Sequence, residues 1–334
     1  MIQFFSRGPL SLITVIVFIP FTSCNTQLNG CTDPMANNYD PEAIINDGSC
    51  SYDPISLYPE KSVELDSSLK ETSGLTLWDG LIWTHNDSDD NRLYGLDTNS
   101  GEIQRTEVLV GAVNQDWEEI SSDADYIYVG DIGNNSGSRT NLHILRVKKS
   151  SLGTGNPVFE TIWFSYEDQF DFKPAGGQQT DFDCEAFLVT SDSIFLFTKQ
   201  WLSLGTAVYA IPNKPGTFVA IRTGSYDVGG LITGAAFMEE QRLLVLSGYS
   251  SLLVPFFHIC YDFQGNDFFG GDNRRVNISI PFCQVEGIAT DNGLDYYITN
   301  ETTSVVNSPA SLQLFNLYEV LWNYLNSQEE GMAP

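Results

Sequence analysis

The chain has 334 residues and carries 43 Asp and Glu against 16 Lys and Arg, a formal net charge of −27. A surface this acidic repels phosphate backbones, so nucleic acid is excluded as a partner. Hydrophobic residues make up 42% and aromatic residues 13%, which excludes a disordered chain and favours a β-rich fold with a large core.

The chain begins with a predicted export signal. The apolar run from Leu10 to Phe21 follows one basic residue, Arg7, and is too short to cross a bilayer as a helix. Phe21-Thr22-Ser23-Cys24 resembles the lipobox of bacterial lipoproteins, although Phe21 stands where a small aliphatic residue is usual. We therefore expect residues 1–23 to be removed and Cys24 to carry a lipid, the only membrane contact, which holds the protein in the cell envelope at the outer membrane or cell surface. The alternative is an ordinary signal peptide.

Residues 24–56 form a small module in this interpretation. Cys31 and Cys50 bracket a loop too short to build a core, and export permits a disulfide between them. The segment is similar to the calcium-binding type 3 repeats of thrombospondin, although the alternating acids of an EF-hand are absent. Its candidate oxygen ligands are Asp33, Asn38, Asp40 and Asp47. The alternative is a polar spacer between the membrane and the main domain.

Residues 57–334 alternate short apolar runs with clusters of Gly, Asn, Asp and Ser, a pattern that predicts an all-β domain. Five segments repeat one template of motif, strand, turn, strand and polar loop. The motifs are Thr72-Ser73-Gly74-Leu75, Trp117-Glu118-Glu119-Ile120, Cys184-Glu185-Ala186-Phe187, Thr233-Gly234-Ala235-Ala236 and Val285-Glu286-Gly287-Ile288. Their spacing matches four-stranded propeller blades. We predict a β-propeller of five blades, or of six if the insertion between residues 166 and 183 hides strands.

The remaining strands follow from the same template. Second strands are predicted at Leu81–Thr84, Tyr126–Val129, Ile194–Thr198, Leu243–Leu246 and Tyr296–Thr299. Third strands are predicted at Arg92–Leu96, Leu142–Val147, Ala207–Ile211, Phe256–Tyr261 and Leu312–Leu317, and fourth strands at Ile103–Val110, Val158–Tyr166, Phe218–Gly224 and Val276–Phe282. The fifth unit has no fourth strand of its own, so we predict that Ser62–Leu65 closes the ring.

Two further features concern the C-terminal half. Mild helical periodicity predicts a helix within Leu314–Gln328. Cys260 and Cys283 flank a Gly-rich turn, which predicts a cross-strand disulfide. Cys184 then stays buried as a small apolar residue or is itself the partner of Cys283.

The repeat alignment predicts a site on one face of the propeller. The start of each first strand and the end of each second strand lie on that face, with one motif position at a common level of the channel. That position holds Ser73, Glu118, Glu185, Gly234 and Glu286. Three glutamates facing one another are costly unless a cation or shared protons offset them. We predict Ca²⁺, or Mg²⁺, bound by the three glutamates with Asp131 and Asn300.

Motifs from several units together carry a resemblance. Asp116-Trp117-Glu118-Glu119-Ile120, Val129-Gly130-Asp131-Ile132-Gly133-Asn134-Asn135 and Phe197-Thr198-Lys199 resemble a group of exported bacterial propellers, similar to the SdiA-regulated and phytase-like esterase propellers. The resemblance implies Ca²⁺ in the channel and, for some members, hydrolysis of phosphoesters or lactones.

Two functions from different classes follow. In the first, the protein is a metal-dependent hydrolase in which His85 or Asp87 transfers protons and Lys199 or Arg139 stabilises developing negative charge. A variant uses two carboxylates as acid and base on a glycosidic bond. In the second, it is a monomeric, non-catalytic surface protein that binds a small molecule, glycan or protein through exposed aromatic residues such as Trp201 and Tyr249.

Overall fold

The computed structural model describes residues 28–173, 176–280, 283–302 and 308–331. The expected signal peptide and Cys24 lie outside the described residues. Within them, no helix is both long enough and apolar enough to cross a membrane.

Four short strands precede the repeats. β1 (Asn29–Gly30) and β2 (Ile45–Asn46) pair within the module, which the predicted disulfide between Cys31 and Cys50 closes. β3 (Ser56–Leu57) and β4 (Lys61–Glu64) leave the module and join sheets of the main domain.

Five antiparallel units follow in chain order. The first contains β5 (Thr72–Trp78), β6 (Leu81–Asn86), β7 (Arg92–Asp97) and β8 (Ile103–Val108). The second contains β9 (Trp117–Ser122), β10 (Tyr126–Asp131), β11 (His143–Lys148) and β12 (Phe159–Tyr166), and the third β13 (Asp183–Val189), β14 (Ser193–Lys199), β15 (Thr206–Pro212) and β16 (Gly216–Tyr226). The fourth contains β17 (Leu231–Met238), β18 (Leu243–Tyr249), β19 (Pro255–Tyr261) and β20 (Asp272–Ile278), and the fifth β21 (Val285–Ala289), β22 (Asp295–Asn300) and β23 (Ser311–Asn316).

The first strands of these units form a closed ring. β5 contacts β9, β9 contacts β13, β13 contacts β17, β17 contacts β21, and β21 contacts β5. Such a ring of inner strands, each continued outwards by its own antiparallel sheet, is the arrangement of a β-propeller. The fifth unit is completed by β4, which pairs with β23, so the predicted N-terminal closing strand is present one residue earlier than expected.

Two outer edges are covered by additional pairings. β12 and β16 pair in parallel and join the second and third units into one eight-stranded sheet. β3 pairs in parallel with β20 and adds a fifth strand to the fourth unit. The described part of the insertion, residues 167–173 and 176–182, contains no strand. These pairings protect edges that would otherwise remain open.

The C-terminal helix, α1 (Tyr318–Gly331), begins later than predicted. Its predicted first residues belong instead to β23, which pairs on both sides, with β22 and with β4. Val320 and Leu321 bury the helix against the fourth and fifth units.

The predicted disulfide between Cys260 and Cys283 was wrong. Cys184, Cys260 and Cys283 are buried free thiols. They belong to three different core clusters, so the expected disulfide between Cys260 and Cys283 does not form. Burial raises the pKa of each thiol, which keeps it protonated and unreactive.

The module packs against the fourth unit rather than standing apart as a spacer. Tyr261 Oη donates to Asp33 Oδ2 over 2.7 Å, and Asn46 Nδ2 donates to Asp262 Oδ2 over 3.1 Å. The module is therefore part of the folded body.

Candidate functional site

Each first strand is irregular at its motif. The pairing register shifts around Glu118 in β9, at Glu185 in β13 and across Glu286 in β21. In the other two units, the pairing register shifts at Gly74 in β5 and at Thr233 in β17. A bulge re-aims a side chain and interrupts the alternation of side chains along a strand. The side chains of the three glutamates therefore depart from the regular alternation of their strands.

The three glutamates are almost fully buried and share one neighbourhood with Lys199. Glu118, Glu185 and Glu286 are 6%, 3% and 2% exposed. Lys199 Nζ lies 3.0 Å from Glu185 Oε2, and Glu286 acts electrostatically on both Lys199 and Glu185. The structure thus brings together three of the predicted metal ligands and one predicted catalytic residue.

Lys199 is the internal counter-charge of this group. Burial by itself lowers the pKa of Lys199, but the Glu185 carboxylate, followed by Tyr249 and Glu286, outweighs burial and holds the pKa well above its usual value. The ammonium also lies 4.7 Å from the ring centre of Trp201 and 5.3 Å from that of Tyr249. Lys199 is therefore a fixed cation among carboxyl groups and aromatic faces.

Carboxyl groups outnumber this cation, and we call the whole group the axial acidic cluster. Its members are Asp116, Glu118, Asp183, Glu185, Glu286 and Lys199. Burial, then Glu185 and Asp116, raises the pKa of Glu118 well above its usual value. Burial, reinforced by Glu301 and Glu185, does the same for Glu286 despite the opposing effect of Lys199. Burial and the neighbouring carboxyl groups therefore both favour the protonated forms of Glu118 and Glu286.

Asp183 is held from two sides. Its Oδ1 accepts from the Asn134 backbone N–H over 2.5 Å, and its Oδ2 accepts from Trp201 Nε1 over 2.8 Å. These bonds favour the ionised form, yet burial and then Glu185 raise the pKa of Asp183 to about 7.

Asp116 and Glu118 are neighbouring acids, the first at the residue before β9 and the second within it. Burial followed by Asp183 raises the pKa of Asp116 to about 6. Two carboxyl groups this close favour a proton between them over two negative charges. A Cβ on Gly133 would overlap oxygens of both side chains, so this position requires glycine.

A second acidic group continues outwards from Glu286. Burial, then Glu71, raises the pKa of Asp87 to about 7, and burial, then Asp87, raises that of Glu301 to about 7. Asp87 Oδ1 is buried without a partner among the described residues. The second predicted catalytic residue therefore lies beside the axial acidic cluster.

His85, the third predicted catalytic residue, has a different environment. It is fully buried, its Nδ1 lies 3.0 Å from the Asn86 carbonyl oxygen, and its ring packs edge-on to Trp117. Burial lowers the pKa of His85 to about 4, so the imidazole is neutral at pH 7.

The other two predicted metal ligands have their oxygens engaged within the protein. Asp131 pairs with Arg139 through Oδ1 and accepts from the Gln115 backbone N–H through Oδ2. Asn300 Oδ1 accepts from Gln313 Nε2 over 2.7 Å. Among the described residues, no group of three His, Cys, Asp or Glu side chains has an arrangement that could hold a metal ion.

The aromatic residues proposed for surface binding are less accessible than expected. Tyr249 is only 3% exposed, because it packs inside the axial acidic cluster near Lys199. Trp201 is partly buried and donates to Asp183.

Sequence reasoning missed three acidic residues. Asp116 and Asp183 each stand two positions before a motif glutamate, so Asp-x-Glu repeats in the second and third units. That repeated spacing is a signal which could have found both. No repeated spacing marks Glu119. Its carboxyl group accepts hydrogen bonds from the backbone N–H groups of Ile120 and Ala235, both over 3.0 Å. The contact with Ala235 connects the second unit to the fourth.

Comparisons with known proteins do not assign the chain to a family. No known protein family and no curated protein matches the chain. Among solved structures, a glutaminyl cyclase from Myxococcus xanthus is similar at a TM-score of 0.48 and 12% identity, over 79% of this chain and 99% of that one. A structure titled glucose dehydrogenase is similar at 0.44 and 10%, over 76% and 98%. A chain of a mitotic checkpoint complex is similar at 0.35 and 12%, over 72% and 60%. At these TM-scores, none of the three likenesses carries an argument about the fold or the function of this chain.

Proposed function

We propose that the chain is an exported, lipid-anchored, five-bladed propeller whose axial acidic cluster binds a divalent cation, Ca²⁺ or Mg²⁺, and hydrolyses an ester. The ring of five inner strands supports the blade number. Cys24 is the proposed anchor, in the outer membrane or at the cell surface, and the protein acts as a monomer without nucleic acid.

The excess of buried carboxyl groups over cations carries this proposal. Five acids surround the one ammonium of Lys199 in the axial acidic cluster, and Glu286 Oε2 is buried without a partner among the described residues. Buried like charges require protons or a cation. Glu118, Glu185 and Glu286 offer the hard oxygen ligands that Ca²⁺ prefers. Because their side chains are not arranged around a metal position in the structure, the proposal requires them to turn towards the cation when it binds.

The residues have separate proposed roles. A bound cation supplies Lewis acidity and a water of lowered pKa. The Asp116–Glu118 pair moves a proton, since burial raises the pKa of Asp116 to about 6, close to the pH at which a general acid or base works best. Lys199 stabilises negative charge that develops on a substrate oxygen, and Asp87 accepts a proton more readily than the neutral, enclosed His85.

The negative charge of the cluster also affects which substrates can approach it. A phosphoester brings negative charge towards ionisable carboxyl groups and is repelled until a cation is bound. A lactone is uncharged and meets no such barrier. We therefore expect lactone hydrolysis to depend less on added cation than phosphoester hydrolysis does.

Calorimetric titration with CaCl₂ and MgCl₂ tests the cation site. We expect saturable binding that releases protons and weakens as the pH falls from 8 to 5, because the cation displaces protons from the carboxyl groups. Glu286→Gln is expected to lose it, while Asp291→Asn, at an exposed acid, retains it. Equal binding by the wild type and a Glu118→Gln, Glu185→Gln, Glu286→Gln triple variant would reject the site.

A panel of phosphoester, lactone and glycoside substrates tests the hydrolase. We expect turnover of at least one class by the wild type and its loss in Glu118→Gln. If the wild type turns over none of the panel with either cation present, the enzyme proposal is wrong.

One observation favours the second candidate, a non-catalytic binding protein. The three glutamates are nearly fully buried, which suits a structural cation more than contact with a large ligand. In that case Glu286→Gln lowers the thermal midpoint in the presence of Ca²⁺ but leaves binding of a small molecule or glycan at the propeller face unchanged.

A further inference from the structure

A cavity of about 300 Å³ lies where the module, the fourth unit and helix α1 meet. Asp33 lines it from the module, Tyr261, Asp262 and Asp272 from the fourth unit, and Tyr324 from the helix. The cavity therefore exists only while the module is docked, and it is separate from the axial acidic cluster.

Three carboxyl groups face this cavity without an ion pair. None of Asp33, Asp262 and Asp272 forms a salt bridge among the described residues. Arg242 and Arg274 lie near the cavity, but their guanidinium groups contact other parts of the protein. Arg274 stacks over Tyr52 at 4.6 Å, and Arg242 Nη1 donates to the Phe263 carbonyl oxygen over 3.4 Å.

Hydrogen bonds satisfy two of the three acids in part. Asp33 Oδ2 accepts from Tyr52 Oη over 2.8 Å and from Tyr261 Oη over 2.7 Å. Asp262 Oδ2 accepts from Asn46 over 3.1 Å. These donors are neutral, so they leave the negative charge of the cavity uncompensated.

Asp272 is the decisive residue. It is 1% exposed, and its Oδ1 is buried without a hydrogen-bond partner among the described residues. A buried carboxylate oxygen without a partner is strongly unfavourable. Burial raises the pKa of Asp272 to about 6; a hydrogen bond from Asn46 opposes this rise, and Asp33 and Asp262 reinforce it. A positively charged group beside the unpartnered Oδ1 would stabilise the ionised form.

The cavity suits an organic cation better than a metal ion. The volume of the cavity is about ten times the ~30 Å³ share of one water molecule, which is more space than a single metal ion fills. The rings of Tyr261 and Tyr324, 4.9 Å apart, add aromatic walls. Carboxylates beside aromatic rings recognise ammonium and guanidinium groups.

We infer that the cavity between the module and the fourth unit binds a cationic amine or guanidinium group, supplied by a free amine or by a Lys or Arg side chain. The group donates hydrogen bonds to Asp272 and Asp262. Because the site is composite, the ligand also stabilises the docking of the module.

Calorimetry at pH 8 with two probes tests the inference on the full chain. Agmatine represents a free amine, and acetyl-Gly-Arg-Gly-amide represents a side chain; the probe that binds more tightly identifies the source. We expect saturable binding that Asp272→Asn weakens by roughly tenfold, the scale of one charge-assisted contact. Asp262→Asn tests the same cavity at a second acid, because Asn tolerates the φ of 57° at this position and circular dichroism and the thermal midpoint show whether the module stays docked. Asp291→Asn is the matched control.

Two results would overturn the inference. One is the absence of saturable binding of both probes, or binding that neither Asp272→Asn nor Asp262→Asn changes. The other is saturable Ca²⁺ binding at this cavity, lost in Asp272→Asn and retained in Glu286→Gln, which would assign a metal ion instead.

Discussion

The axial acidic cluster and the module cavity handle buried negative charge in opposite ways. The cluster carries its own cation, because Lys199 at the end of β14 pairs with Glu185. The cavity receives only neutral donors, among them Tyr52 and Tyr261. Lys199 offsets part of the charge of the cluster and makes that charge part of the stability of the fold, whereas the cavity has no internal cation and leaves its whole charge to a ligand.

The largest effect is expected from Lys199→Met. Removing the ammonium leaves Glu185 buried without compensation, which we expect to lower the free energy of unfolding by about 3–5 kcal/mol at pH 8. Urea denaturation measures this value. Lys214→Met, at an exposed lysine, is the control and should change it by less than about 0.5 kcal/mol. Combining Lys199→Met with Glu185→Gln should restore part of the loss; a double variant no more stable than Lys199→Met would contradict the pairing.

The module should respond separately from the propeller. Replacing Cys31 and Cys50 by Ser removes a disulfide whose loop closure stabilises the module by about 3 kcal/mol. We expect rapid proteolysis within residues 28–55 and loss of amine binding, while Ca²⁺ binding at the axial acidic cluster persists. Loss of both binding activities together would mean that the two regions are not independent.

Gly133→Ala tests the close placement of Asp116 and Glu118. The added methyl group would overlap oxygens of Asp116 and Glu118, so we expect a loss of about 1–3 kcal/mol, typical of overpacking, and weaker cation binding. Gly224→Ala is the control, since a Cβ there meets nothing within 4 Å. An unchanged calorimetric titration for Gly133→Ala would contradict the proposed geometry.

The pH dependence has a defined sign. Asp183, with its pKa raised to about 7, and Asp116, raised to about 6, bind protons more tightly when folded than when unfolded. Their contribution to stability is therefore present at low pH and falls as the pH rises from about 4 to about 7, by up to ~1.4 kcal/mol per pH unit for each group. Urea midpoints from pH 5 to 8 measure the slope. Asp183→Asn should flatten it, and an unchanged slope would show that Asp183 is not the titrating group.

Much of the fold could be predicted from sequence, because alternation and repetition are local signals. The strand from Leu81 and the strand from Tyr126 were predicted at the right starts. Both were ended two residues early, since His85-Asn86 and Gly130-Asp131 are typical of turns but pair here within β6 and β10. Burial of His85 follows from that pairing and could not be inferred from loop chemistry.

The site was only partly predictable for a similar reason. The three motif glutamates and Lys199 were found, because they recur at fixed places in the repeat. The contact between Glu119 and Ala235 joins units far apart in the chain, and no local pattern encodes it. Likewise, the spacing of Cys260 and Cys283 did not reveal that they belong to different cores.

The pairing of β4 with β23 has a consequence for biosynthesis. Leu312 pairs with Val63, so residues near the two ends of the chain form one sheet. The ring can therefore close only after the segment around residue 312 has left the ribosome. Until then β4 has no partner strand, and a nascent chain that stalls before this point exposes an edge that other chains can pair with. Ring closure is thus one of the last steps in the folding of this chain.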